Sequence, residues 1–556
     1  MTQKRILIIG GVAGGATAAA HARRISEDAE IIMFEKGPHV SFANCGLPYF
    51  VGGEIAEKED LLVQTPEGLR SRFNLDVRVL SEVITIDPAN QKIEIHDTHK
   101  GKSYWETYDE LVLSTGASPL KPPIPGIDLE GHFTVRTIPD IEAIKTWITN
   151  HKPRQAVVVG GGFIGLEMVE QLHRLGLQIT VVEALPQVMA PLDPEMAAWL
   201  HQKLRDKNVD LYLGDSVTKF DIAKPGEEAQ ASIIELKSGQ RIPADLVILG
   251  MGVRPEIKLG KEAGLEIGNR GGFRVNDHLQ TNIPHIWAIG DAIEVRDFVT
   301  GDWTLIPLAG PANRQGRIVA ENIFGNAMKY SGTCGTAILR LFDLSVASTG
   351  ANEKTLKTKN ISYDVVHLHP PCHASYYPGA SRLTMKVLFD PQTGKLLGAQ
   401  MIGREGVDKR IDVFATALKA GMTVHDLADL ELAYAPPFGS AKDPINLAGM
   451  VAGHVITGEV KNCQWHEIEN LDAEITVVLD IRDDDEREEG YIPGSLHIPL
   501  PQLRDRFSEL PKNREIITYC QTGQRSYFAS QFLAQHGFKV RNLTGAYCTW
   551  MVTAGQ

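Results

Sequence analysis

The chain is short of paired cysteines, of basic charge and of long apolar runs, and each shortage excludes something. Its six cysteines, Cys45, Cys334, Cys372, Cys463, Cys520 and Cys548, form no C-x-x-C pair and no zinc-ligand spacing. A six-cysteine disulfide framework does not suit 556 residues without a signal peptide. The start runs straight into the apolar strand Ile6-Leu7-Ile8-Ile9 and then into glycines, too short for a signal h-region. No apolar stretch approaches the roughly 20 residues that span a bilayer. Lys and Arg number 56 against 69 Asp and Glu, a net charge of −13. That argues against nucleic acid and against an anionic membrane surface as partners. Together these features predict a reduced, cytoplasmic protein with no metal site.

What is present is a globular composition, with 43% hydrophobic and 22% charged residues. At about 100–200 residues per domain, the length predicts three or four domains. Two segments resemble each other. In the first, Arg5 to Ile9 leads into Gly10-Gly11-Val12-Ala13-Gly14-Gly15 and a helix. In the second, Gln155 to Val159 leads into Gly160-Gly161-Gly162-Phe163-Ile164-Gly165 and a helix. Each has an acid at the end of the following strand, Glu35 and Glu183. One G-x-G-x-x-G is weak evidence, but two copies, each after a β-branched run and each with its acid, predict two dinucleotide-binding folds. The first copy departs from the pattern, since Val12 stands at the middle glycine.

A third signal is the strand ending in Gly290-Asp291, with a helix expected next. Leu113-Ser114-Thr115-Gly116-Ala117 and Gly250-Met251-Gly252 look like crossovers between the two folds. The expected architecture is α/β. Residues 1–120 and 246–325 form the first nucleotide domain and 121–245 the second. Residues 326–445 form an α+β interface domain, 446–469 a linker, and 470–556 a separate C-terminal α/β module.

These motifs, in this order, resemble the pyridine nucleotide–disulfide oxidoreductases across residues 1–445, above all the coenzyme A disulfide reductase branch. The most specific stretches are Ser41-Phe42-Ala43-Asn44-Cys45-Gly46-Leu47-Pro48-Tyr49 and Ala433-Tyr434-Ala435-Pro436-Pro437. Residues 470–556 resemble a single rhodanese domain. The fusion resembles the coenzyme A disulfide reductase–rhodanese proteins, which are NADH-dependent persulfide reductases. A glutathione-reductase-type enzyme carries a second cysteine five positions after the first, and Phe50 stands there. Cys45 must therefore take its second sulfur, or an oxygen, from outside, as a mixed disulfide, persulfide or sulfenic acid.

The resemblance implies FAD on the first fold, with Glu35 on the adenosine ribose and Asp291 near the ribityl chain and pyrophosphate. Gly10 to Gly15, Thr115, Gly116, Gly252 and Gly290 complete the cofactor-binding set. NAD(P)H is expected on Gly160, Gly162 and Gly165. Glu183 accepts from a ribose 2′-hydroxyl and repels a 2′-phosphate, so NADH is favoured over NADPH. Phe163 falls at the family's aromatic gate over the flavin. Tyr376 and Tyr434 match tyrosines that a partner subunit supplies, which implies a homodimer. Arg24, Arg72 and Lys442, with Arg23 as a further candidate, match positions for the nucleotide end of coenzyme A. Thr17, Ser41 and Asn44 line its pantetheine path, and His21 stands where relatives often have glutamine.

In the C-terminal loop Cys520-Gln521-Thr522-Gly523-Gln524-Arg525, backbone N–H groups at a helix start can surround one sulfur. Related cysteine phosphatases need one more loop residue and a histidine where Tyr519 stands, which favours sulfane-sulfur transfer. Arg525 is expected to brace the loop. The resulting expectation is a flavoenzyme that uses NADH to reduce persulfides, polysulfides or disulfides of small thiols, coenzyme A above all. One alternative is an NADH oxidase or peroxidase cycling Cys45 through sulfenic acid. Another is a coenzyme A-binding redox sensor.

Overall fold

The computed structural model describes residues 4–222 and 231–554. They divide into two compact units, Met1–Val188 with Lys207–Gly335, and Met189–Asp206 with Thr336–Gln556.

The first unit holds both nucleotide folds. One parallel sheet has the order Ile286–Ala288, Glu110–Leu113, Arg5–Ile9, Glu30–Phe34, Asp76–Arg78. The other has the order Asp210–Leu213, Gln178–Glu183, Gln155–Val159, Leu246–Leu249, His132–Phe133. The central strands are apolar along their length because both faces are covered, and Ile6, Leu7, Ile8, Val157 and Val158 are fully buried. Helices Ala13–Ile25 and Ala309–Ile323 meet through small residues, and a Cβ on Gly316 would lie 2.5 Å from the Gly14 oxygen. Ala117–Pro119 pairs antiparallel with Val253–Pro255 at the chain crossings. Leu246–Leu249 belongs to the second sheet, so that fold runs past the expected boundary at 245. After Ala288 comes a short 3-10 turn, Gly290–Ala292, instead of the expected helix. The helix on that side starts at Ala309.

In the second unit a five-stranded antiparallel sheet, ordered Ala337–Leu341, Leu344–Gly350, Leu396–Gly403, Thr384–Phe389, Asp364–Leu368, precedes a parallel sheet. The parallel sheet is ordered Asn462–Cys463, Val540–Leu543, Glu515–Tyr519, Thr476–Asp480, Leu496–His497. Helix Pro194–Asp206 lies in this unit, although the chain on both sides of it belongs to the other. Buried Lys386 holds it: the ammonium lies 2.8 Å from Asp193 and also pairs with Glu195 and Glu353. One buried cation facing three acids avoids the cost of a lone buried charge.

The expected linker is largely a helix, Pro444–Ile456. Asp443 and Asn446 form a capping box at its start, and its small residues pack tightly. A Cβ on Gly449 would sit 2.4 Å from the Ala428 nitrogen. The C-terminal module is joined to the antiparallel sheet by specific bonds. The His367 amide donates to Thr544 Oγ1 (2.8 Å), and His369 Nε2 meets Thr549 Oγ1 (2.9 Å). Full burial holds His369 neutral, with its pKa lowered to about 3.

Candidate active site: two sulfur centres

The two glycine turns are built alike. Gly10 and Gly160 have φ of +95° and +111°, where a Cβ would lie 2.2 Å from the Ser114 and Gly250 oxygens. A Cβ on Gly15 or Gly165 would lie 1.9 Å from the oxygen of Gly10 or Gly160. Val12, by contrast, caps its helix at φ −98°, open to any residue, so its departure from glycine strains nothing. Glu35 accepts from the Gly11 (3.0 Å) and Gly37 (2.9 Å) amides. Glu183 accepts from Gly161 (2.7 Å) and Leu185 (2.8 Å). Neither helix has a side-chain cap or an acid in its first turn, and a Cβ on Gly162 would meet only open space. Helix starts without a side-chain cap or an acid suit a pyrophosphate, so both turns fit a dinucleotide, and the second has open space at Gly162. Phe163 opens the second helix, half-buried.

Between these turns, Thr115 Oγ1 donates to the Glu256 oxygen (2.6 Å). Gly116, Gly252 and Gly290 all take left-handed φ. Asp291 makes no side-chain hydrogen bond among the described residues, and burial pushes its carboxyl up against the pull of Arg136. Arg136 Nη1 also lies 2.9 Å from the Asn44 side-chain amide, whose oxygen accepts from it when the amide is turned so that its nitrogen donates to the Phe42 oxygen, and Arg136 lies under Gly116. Sequence reasoning missed Arg136: it stands in no motif, and only the tertiary fold brings it to Asn44 and Asp291.

Cys45 sits in the 3-10 turn Asn44–Gly46 ahead of helix Leu47–Val51, and it is exposed. Crowding around the sulfur nonetheless pushes the thiol up, and the Glu167 and Asp291 carboxylates push the same way. Phe50 is buried, with the Lys145 ammonium 4.0 Å from its ring centre. Ser41 holds a left-handed φ of +46°, and its amide donates to the Gly11 oxygen (2.8 Å).

The residues expected to bind coenzyme A are only partly free. Arg24, Arg72 and Lys442 are exposed. Thr17 donates to Asn313 (2.7 Å), and His21 pairs with Glu321 at 2.8 Å. Arg23 is buried, and its guanidinium serves the carbonyls of Phe73, Asn74, Ser26 and Glu27. It is an internal brace, not a surface cation. Tyr376 and Tyr434 meet, hydroxyl to hydroxyl, at 3.1 Å. Both are open to solvent, at 74% and 48%, beside Phe438 at 69%.

Cys520 follows strand Glu515–Tyr519 and is fully buried, its sulfur accepting the Gly523 amide at 3.1 Å. Gly523 caps helix Gln524–Gln535 at φ +107°. Arg525 pairs with Asp483 (3.1 Å) and Glu486 (2.5 Å), fastening the loop. Tyr519 donates to Asp480 (2.7 Å), and burial pushes its phenol up to about 12.

The chain thus carries two nucleotide-type glycine turns, an exposed cysteine ahead of a short helix, and a buried cysteine whose sulfur accepts one amide at the start of another helix. Comparison with known proteins agrees. Residues 4–316 match the pyridine nucleotide-disulphide oxidoreductases, 336–443 their dimerisation domain, and 465–553 the rhodanese-like domain. The chain belongs to the pyridine nucleotide-disulphide oxidoreductases, a family that implies FAD and NAD(H), and carries a C-terminal rhodanese-like domain. It is 36% identical to the coenzyme A disulfide reductase of Staphylococcus epidermidis over 81% of this chain and 99% of that protein. Reduced Bacillus anthracis CoADR-RHD superposes with a TM-score of 0.97, at 49% identity over 100% of this chain and 99% of that one. The NAD-dependent persulfide reductase from A. fulgidus superposes at 0.91, with 36% identity, covering 98% and 100%. No helix among the described residues is long and apolar enough to cross a membrane.

Proposed function

We propose that the protein is an NADH-dependent reductase of coenzyme A persulfide, polysulfide and coenzyme A disulfide, with Cys45 as its single redox cysteine and Cys520 delivering sulfane sulfur. The observation that carries this reading is the pair of unlike thiols in one chain. One is exposed and has Phe50 where an internal partner would stand; the other is enclosed and bonded by an amide. The residues of the glycine turns, with Glu35, Glu183, Asp291 and Arg136, hold FAD and NADH, which supply two electrons.

Cys45 as thiolate attacks a disulfide sulfur, releases the first thiolate and keeps a mixed disulfide. Two electrons then break that bond, which returns Cys45 and frees the second thiol. With a persulfide, attack on the carbon-bearing sulfur releases hydrosulfide instead. Tyr376 and Tyr434 protonate the leaving sulfur. Their exposure beside Phe438 supports a homodimer in which a second copy covers them and supplies Cys45. Arg24, Arg72 and Lys442 remain as cations for the phosphates of coenzyme A.

The test is anaerobic NADH oxidation with coenzyme A persulfide, coenzyme A disulfide and polysulfide. Fast turnover that Cys45→Ser abolishes is expected. Turnover only when oxygen or peroxide is admitted would replace this reading with an oxidase or peroxidase. Tight coenzyme A binding without turnover would leave a redox sensor.

A further inference from the structure

Cys372 and His373 play no part in the chemistry above, yet they lie where the two tyrosine segments are tied together. Residues 372–381 form a loop that carries Tyr376. Pro371 and Arg382 bridge at its base, and the Cys372 amide donates to the Ser381 oxygen (2.8 Å). The Cys372 sulfur closes the same base a second time, accepting from the Ser381 amide (3.3 Å) and meeting the Ser381 hydroxyl (3.5 Å). His373 Nδ1 lies 3.0 Å from that sulfur, while its Nε2 reaches the Pro378 oxygen (3.3 Å) inside the loop.

The second tyrosine is fastened to the same point. Arg410 Nη2 donates to the Cys372 oxygen (2.8 Å) and, through Nη2 and Nε, to Asp443 (2.8 and 3.0 Å). The Ala374 amide donates to the Gly439 oxygen (2.9 Å), and Lys409 donates to the Phe438 oxygen (2.6 Å). Cys372 and His373 are 3% and 5% exposed, whereas Tyr376 is 74% exposed. Within its own subunit Tyr376 therefore has little packing, and the base of its loop sets where it is presented to a partner.

The groups around the clasp favour the hydrogen bond between its two members. Hydrogen bonds from Ser381 and His373 outweigh burial and bring the Cys372 thiol down, and the bond to Cys372 raises His373. Glu405 faces His373. From helix Val407–Ala420, Arg410 is neutralised by Asp443, and Lys409 faces Cys372.

We propose that Cys372 and His373 form a clasp that holds Tyr376 against Tyr434, which makes them positioning residues for proton delivery to the sulfur leaving Cys45. The proposal rests on the reading of the two tyrosines as proton donors. Cys372→Ala removes the acceptor of three donors at once. Cys372→Ser keeps an oxygen that can take the Ser381 amide.

The test measures steady-state kinetics with coenzyme A disulfide at equal flavin content and dimer state. Cys372→Ala is expected to lower kcat about tenfold, part of the roughly hundredfold or more that a well-placed general acid supplies, with KM for NADH unchanged. Cys372→Ser should recover most of that loss. In a Tyr376→Phe background, Cys372→Ala should cost nothing further, because both changes remove one function. Should Cys372→Ala fail to fold, His373→Gln carries the same test. Wild-type kcat in the variants, or the full loss repeated on top of Tyr376→Phe, would overturn the clasp. If Tyr376→Phe and Tyr434→Phe both keep wild-type kcat while Cys45→Ser is inactive, the tyrosine reading falls instead, and the clasp falls with it.

Discussion

Cys45 and Cys520 each stand just ahead of a helix, but they are opposite kinds of thiol. Cys45 is exposed, yet the crowding around its sulfur opposes its ionisation, and Glu167 and Asp291 add to that. Cys520 is fully enclosed, and an amide at a helix start points at its sulfur. An open thiol can accept many partners. An enclosed one admits only a small group.

Changing either sulfur separates the two roles most strongly. Cys45→Ser should cut anaerobic NADH oxidation at least about a thousandfold with every sulfur substrate, since the covalent step is gone. Cys520→Ser should abolish labelling of the C-terminal module by a sulfane-sulfur donor. It should leave coenzyme A disulfide reduction within about twofold, because that reaction needs no persulfide loop. A merely tethered module would also leave turnover with polysulfide intact, which the same assay reads.

Smaller effects sharpen the contrast. Stability should fall by about 2 kcal/mol between neutral pH and pH 5 through His369 at the joint of the C-terminal module. Its folded pKa, about 3, lies below the ordinary 6.5, so the unfolded chain binds the extra proton across that window. Urea midpoints for the wild type and His369→Asn would show it as a slope that the variant loses. Gly523→Ala should cost about 1–2 kcal/mol by forcing a Cβ onto a left-handed cap, and should slow sulfur loading of Cys520. Glu167→Gln removes a charge that disfavours the Cys45 thiolate. Alkylation of Cys45 at pH 7, followed in a Cys520→Ser background, should then quicken about threefold, with the pH profile displaced downward.

Much of this contrast could be read from the chain. The glycine turns, their acids, the lone Cys45 and the Cys520 loop are local patterns, and each imposes a backbone shape on its own few residues. Arg136 could not be read, because it gains meaning only from Asn44 and Asp291, far away in sequence. The helix Pro444–Ile456 was hidden by its small residues. They resemble a linker until Gly449 is seen against Ala428. Arg23 misled for the opposite reason: a basic residue next to basic Arg24 suggests a surface, yet four carbonyls hold it inside.

Helix Pro194–Asp206 has a consequence for how the chain is made. It leaves the ribosome in the middle of the second nucleotide fold, but its buried face, with Met196, Leu200 and Leu204, belongs to a unit whose remaining residues begin at Thr336. During synthesis the first unit can fold around the gap while this helix waits, apolar side uncovered, until Lys386 and its sheet emerge. A truncation ending near Gly335 would keep it waiting permanently, so aggregation of such a fragment is expected even with both glycine turns intact.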